Sequence, residues 1–253
     1  MRETNEWFAL WFNTPEYHTL YGHRDENEAR EFINNLISKF FPNPCRVLDA
    51  GCGAGRHVHS WSLKGFDAVG FDLSNNSIES AIKRARDLGV AINSSFEVLD
   101  LRDLKDSLIH ESSFDVVTNL FTSFGYFPEK QDHIDVVKGF AHALKTGGTL
   151  VFDYLNATYS AVRIVESETV TKSNVQFNIN RKLENGFFKK TISFTTAEGN
   201  KETHTELVKA WTLQELTELL TSVGLQVKTV LGDYDLSEYQ SDSPRLLIIA
   251  EKV

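Results

Sequence analysis

Arg46-Val47-Leu48-Asp49-Ala50-Gly51-Cys52-Gly53-Ala54-Gly55-Arg56 is an apolar run that ends in an acid and then breaks into glycines at alternate positions. Such a run reads as a short strand, a tight turn and the start of a helix. Glycines 51, 53 and 55 admit backbone conformations closed to other residues and put no Cβ between the main chain and a ligand. A nucleoside-sized molecule can therefore lie against this turn. The spacing is GxGxG, whereas the dinucleotide fingerprint is GxGxxG, with its third glycine one place later. That spacing disfavours a nicotinamide oxidoreductase.

Working outward, each following strand also closes on a polar residue. Asp67-Ala68-Val69-Gly70-Phe71-Asp72 finishes beside the first strand, and an acid there can accept hydrogen bonds from both hydroxyls of a ribose. Residues 95–99 run into Asp100, and residues 114–118 run into Asn119. Between the strands, Ile78, Ala81, Ile82, Ala85 and Leu88 recur at helical spacing behind a capping Ser74, with Gly89 closing the helix. Strand and helix alternate, which demands a parallel sheet with right-handed crossovers. Loops after parallel strands lie over the ligand crevice, so the aromatic segment 119–128 is expected at the boundary between two ligands.

VLDAGCGAG, VGFDLS, EVLDLRDL and FDVVTNLFTSFGYF resemble the first to fourth motifs of the class I S-adenosylmethionine-dependent methyltransferases. The segments LYGHRDENEAREFI and GDYDLSEYQSDSPRLLIIAEK are similar to those of a bacterial small-molecule subgroup, so the resemblance covers nearly the whole chain. It implies a Rossmann-like α/β fold, helices on both faces of a mostly parallel sheet with a reversed C-terminal strand, and S-adenosyl-L-methionine as methyl donor. Onto this chain it carries Asp49, Gly51, Cys52, Gly53 and Gly55 at the glycine turn, Asp72 with Leu73, Asp100 with Leu101, and Asn119, Leu120 and Phe121 as donor contacts. N-terminal helices cover the donor in this family, which adds Tyr17, Tyr21 and Arg24 near its methionine end. Ser123, Phe124 and Tyr154 are the candidates for the acceptor side.

The chain has 253 residues, enough for one buried α/β core with an embellishment. Its net charge of −9, from 26 basic and 35 acidic residues, comes with no basic block, which argues against nucleic acid as partner. Cys45 and Cys52 are too few for a metal cage or a disulfide framework and fit a reducing cytoplasm. No stretch approaches ~18 uninterrupted apolar residues, so no membrane span is expected.

Trp7, Phe8, Trp11, Phe12, Tyr17 and Tyr21 crowd one segment around Pro15. They read either as a packing arm or as a lid, with Tyr17 and Tyr21 on one helical face. From about 156 to 210 the pattern turns antiparallel: Val175, Phe177 and Ile179 alternate with polar residues, and Asn185-Gly186 signals a two-residue hairpin. Three strands are expected there, forming an insertion (156–210) on a cofactor-binding domain (1–155 and 211–253). Its open edge could pair two copies as a homodimer. Strands 225–231 and 245–252 are expected as a reversed pair.

The donor's methyl sits on a cationic sulfur, so the protein mainly has to position the acceptor. No general base stands out, and HExxH or cysteine-rich metal spacings are absent. Two readings follow: a metal-independent transfer to nitrogen or oxygen of a small molecule, or a non-catalytic adenosylmethionine-binding sensor or scaffold.

Overall fold

The computed structural model describes residues 6–21 and 26–253. Two short helices, α1 (Trp7–Trp11) and α2 (Pro15–Tyr21), precede α3 (Glu26–Phe40). Alternation follows through β1 (Arg46–Ala50), α4 (Arg56–Ser62), β2 (Asp67–Asp72), α5 (Asn75–Asp87) and β3 (Ser94–Val98). A 3-10 turn (Leu101–Asp106) leads to β4 (Phe114–Asn119), α6 (Lys130–Ala143) and β5 (Leu144–Leu155). After α7 (Ala157–Ala161) come β6 (Ser167–Lys172), β7 (Val175–Glu184), β8 (Phe187–Thr195) and β9 (Lys201–Lys209). The chain finishes with α8 (Leu213–Thr221), β10 (Leu225–Leu231) and β11 (Arg245–Lys252).

One seven-stranded sheet has the order β10-β11-β5-β4-β1-β2-β3. β1 runs parallel to β2 and β4, while β11 is antiparallel to both β5 and β10. Only β11 is therefore reversed. β10 runs with the parallel strands, which corrects the expected reversed pair: two antiparallel steps in a row restore the original direction. The order turns back on itself at β1, and crevices in open α/β sheets lie outside the strand ends at such a switch point.

Successive β1 side chains alternate between the two faces of the sheet, as strand geometry requires. Leu48 and Ala50 join Val117, Phe140, Phe152 and Leu216 in one core, and Val47 joins Phe32, Leu36, Val58, Trp61 and Ile249 in the other. Local signals set the ends of these elements. Ser74 accepts from the Ser77 N–H at the start of α5, and Thr212 and Glu215 complete a reciprocal cap on α8. Asp25, which with Glu28 spells a capping box before α3 in the sequence, lies outside the described residues.

The antiparallel sheet has four strands in the order β6-β7-β8-β9, one more than expected. β6 (SETVTK) carries a single large apolar residue, Val170, so its sequence shows no apolar alternation even though its side chains alternate in exposure. Asn185 and Gly186 take φ of 52° and 76°, the two left-handed residues of a type I′ hairpin. Trp11 and Leu20 of the N-terminal arm pack with Phe177, Ile179, Ile192 and Phe194 of this sheet. The arm's main apolar partner is thus the insertion.

Candidate active site

The glycine turn is folded onto the end of β2. The N–H groups of Gly51 and Cys52 both donate to the Phe71 carbonyl at 2.9 Å. Gly51, Gly53 and Gly55 take φ of 80°, 54° and 80°, but only one of them is open to the site. A Cβ on Gly53 would meet nothing within 4 Å, whereas one on Gly51 would stand 2.9 Å from the Ser123 Cβ and one on Gly55 would stand 2.7 Å from Phe96. Gly55 is there for helix packing.

Asp72 ends β2 beside this turn. Its Oδ2 accepts from the Gly53 N–H and its Oδ1 from the Ser74 N–H, both at 2.9 Å. Burial pushes its carboxyl up, against the pull of those two hydrogen bonds. Asp100 is held differently. Its Oδ1 accepts from the Arg102 N–H and Nε at 2.9 Å each, and Arg102 is in turn clamped by Glu6. Both carboxylates are fixed before any ligand arrives, which lowers the ordering cost of binding.

A cavity of about 660 Å³ opens over these strand ends. Among the sequence candidates its wall includes Tyr17, Tyr21, Gly51, Cys52, Gly53, Asp72, Leu73, Asp100, Leu101, Leu120, Phe121 and Ser123. Asp49 and Asn119 lie behind it. The Thr118 hydroxyl donates to Asp49 Oδ1 at 2.7 Å, and Asn119 Nδ2 donates to the Ala50 carbonyl at 2.7 Å, which ties β1 to β4. Phe124 and Tyr154 require a correction, because both are fully buried in the core and neither lines the cavity. Phe124 packs edge-on against Phe152 and His133, and the Tyr154 hydroxyl donates to the Lys209 carbonyl. Arg24 lies outside the described residues.

Next to this cavity lies a second, of about 530 Å³. Phe12, Tyr17, Tyr21, Phe121 and Tyr126 line both, so the two chambers share a wall. Glu206 and Val208 of β9, Leu155 and Arg245 belong to the second alone.

Phe121 and Thr122, in the shared loop, take φ of 57° and 60°, a conformation that L residues rarely adopt. Asp153 holds them there. Its Oδ2 accepts from the Phe121 N–H at 2.7 Å and from the Tyr234 hydroxyl at 2.9 Å, and its carbonyl accepts from the Thr122 N–H at 3.2 Å. Arg245 pairs with Asp153 Oδ1 at 2.7 Å and donates to the Thr122 hydroxyl oxygen. The Phe121 ring stacks on Tyr234 at 5.1 Å, and the Arg56 guanidinium lies 3.8 Å from its centroid. Sequence reasoning missed Arg245, Tyr234 and Glu206. His204, a strand residue whose imidazole could have served an acceptor, stacks on Trp11 at 4.4 Å and lines neither chamber.

Among the described residues no group of three or more His, Cys, Asp or Glu side chains could hold a metal, and no helix is long and apolar enough to cross a membrane.

Residues 43–222 match the family described as "Methyltransferase domain". The chain belongs to that family. It is an S-adenosylmethionine-dependent methyltransferase, and the site suits that donor: a bare Gly53 backbone, fixed carboxylates at 72 and 100, and a chamber of ligand size. The methyltransferase is 25% identical over 246 residues to the putative methyltransferase YqeM of Bacillus subtilis (strain 168), covering 93% of this chain and 94% of the relative. It is 24% identical to the dTDP-3-amino-3,4,6-trideoxy-alpha-D-glucopyranose N,N-dimethyltransferase of Streptomyces venezuelae, covering 85% and 91%. The solved CcbJ methyltransferase of Streptomyces caelestis shares its fold with a TM-score of 0.80 at 14% identity, covering 96% and 98%.

Proposed function

We propose that this methyltransferase moves a methyl group from S-adenosylmethionine to nitrogen or oxygen of a small molecule, without a metal. The supporting observation is the pair of chambers that meet at Tyr17, Tyr21 and Phe121. In this reading the larger takes the donor, with Asp72 accepting from the ribose hydroxyls, Asp100 and Leu101 at the base, and Gly51 to Gly53 along the tail. Asp49, Gly55 and Asn119 shape that wall from behind, and Tyr17 and Tyr21 close over the reactive end.

The second chamber takes the acceptor. When bound, the donor supplies an already activated methyl, so the chain's task is alignment, which can contribute up to ~7–11 kcal/mol. Relatives act on amino sugars in Streptomyces venezuelae and in Saccharopolyspora spinosa, and a partial match is a ubiquinone biosynthesis O-methyltransferase. We assign donor binding to residues 1–155 and 211–253 and the far acceptor wall to 156–210. Among the described residues β6 and β9 are the outer strands of the antiparallel sheet, where a homodimer would pair, and the two free cysteines suit a cytoplasmic protein.

Calorimetric titration with adenosylmethionine tests the donor assignment. Asp72→Ala leaves the ribose hydroxyls without their acceptor and is expected to weaken binding at least about tenfold. Equal affinity in the variant would remove Asp72 from the site.

A further inference from the structure

The acceptor chamber has a chemistry of its own. Rings from the arm and the loop, Trp7, Phe12, Tyr17 and Tyr21 among them, surround it. Glu206 enters from the opposite wall on β9, directly across the strand pair from Lys190 on β8. Its Oε1 accepts from the Trp11 indole N–H at 2.8 Å and from the Tyr21 hydroxyl at 2.6 Å. Its Oε2 has no hydrogen bond among the described residues. Lys190 Nζ forms an ion pair with that oxygen at 3.6 Å, beyond hydrogen-bond reach, and also donates to the Tyr21 hydroxyl and lies over its ring. A carboxylate oxygen that accepts no hydrogen bond, set among aromatic faces and only loosely paired with Lys190, can take a second cation.

An anionic acceptor finds less here, because Arg245 gives its charge to Asp153. A hydroxyl acceptor needs a base far stronger than a carboxylate, and no histidine lines this chamber among the described residues. An ammonium needs no cationic partner, and it gives up a proton far more readily than an alcohol does.

We propose that the second chamber takes an aliphatic amine, held as its ammonium by Glu206 and deprotonated there before methyl transfer. This rests on the acceptor assignment above. The N–H bond breaks, the proton passes to Glu206 Oε2, and the electron pair stays on nitrogen. Like charge on the neighbouring sulfonium favours that loss. The nitrogen then forms a bond to the methyl carbon as the carbon–sulfur bond breaks, with that bond's pair going to sulfur. An N-methylammonium and a neutral thioether result, and Glu206 returns its proton to solvent.

The test uses cyclohexylammonium and cyclohexanol, two probes of similar shape, titrated by calorimetry into the whole protein saturated with S-adenosylhomocysteine. Cyclohexylammonium is expected to bind saturably and at least about tenfold more tightly than cyclohexanol, as a hydrogen bond to a charged group requires. Glu206→Gln is expected to erase that preference while adenosylmethionine binding is retained, which shows that the variant is folded. If Glu206→Gln fails to fold, Glu206→Asp serves in its place: it draws the carboxylate back from the chamber and should shrink the preference for the amine, and an unchanged preference would overturn the proposal. No saturable amine binding, equal binding of the two probes, or an unchanged preference in Glu206→Gln would overturn the proposal. Wild-type protein that fails to bind adenosylmethionine would instead strike the donor assignment, and this inference would fall with it.

Discussion

Asp49 and His57 stand together beneath the glycine turn, with Asp49 Oδ2 and His57 Nδ1 3.9 Å apart. Among the described residues that Asp49 oxygen accepts no hydrogen bond. Burial drives the Asp49 carboxyl up to about 7, although the Thr118 hydroxyl and the Arg56 charge pull the other way. The folded chain therefore keeps a proton that the unfolded chain has released above its ordinary value of 3.8. The sign follows from linkage. Asp49 contributes most to stability below about pH 4, loses up to ~1.4 kcal/mol per pH unit as pH rises toward 7, and is flat above that. Asp49→Asn should remove this slope, so its stability relative to wild type rises between pH 5 and pH 8 by on the order of 2 kcal/mol. Denaturant titrations at both pH values check it, and an unchanged difference would place the ionised carboxylate comfortably inside the fold. Asp49, Asp72 and Asp100 were legible in the sequence because each sits at or just beyond the carboxyl end of its own strand. The pairing of Asp153 with Arg245 was not, since the two are 92 residues apart and only the folded sheet joins them.

At the scale of elements, the arm and the antiparallel sheet behave as one packed unit. Trp11 is fully buried, edge-on to Tyr17 and stacked on His204. Trp11→Ala is expected to cost ~3–5 kcal/mol, the range for losing a buried aromatic side chain. Its neighbour Leu10 is 54% exposed, so Leu10→Ala should stay within about 0.5 kcal/mol. Urea denaturation of both variants measures the contrast, and similar small losses would show that the arm is not seated on the sheet. The crowding of rings in residues 7–21 announced a buried face in the sequence, but the partner of that face was not written there. The same limit explains Phe124 and Tyr154. An aromatic loop looks like a ligand wall, yet Gly125 leaves room for the Tyr154 ring where a Cβ would lie 2.1 Å from its hydroxyl oxygen, and both aromatics sink into the core. β6 escaped notice because Val170 is its only large apolar side chain packed on a core, and one such residue gives no period to read.

For the whole molecule, the alternation of strand and helix fixed the parallel order and the crevice, while the direction of β10 depended on pairings that no local pattern carries. Donor binding couples this frame to stability. Adenosylmethionine at a hundred times its Kd should add ~2.7 kcal/mol to the unfolding free energy. For a chain of this size that is roughly 5–11 °C in Tm. Thermal scans with and without ligand check it, and a flat midpoint at saturation would mean that the unfolded chain binds equally well. Arg245 reaches Asp153, whose carboxylate holds the Phe121 N–H, only once β11 has zipped onto β5. A ribosome therefore releases everything needed for the glycine turn well before it releases the residue that braces the partition. During synthesis the nucleoside berth can take shape first, and a nascent chain has no finished compartment in which to trap the wrong metabolite.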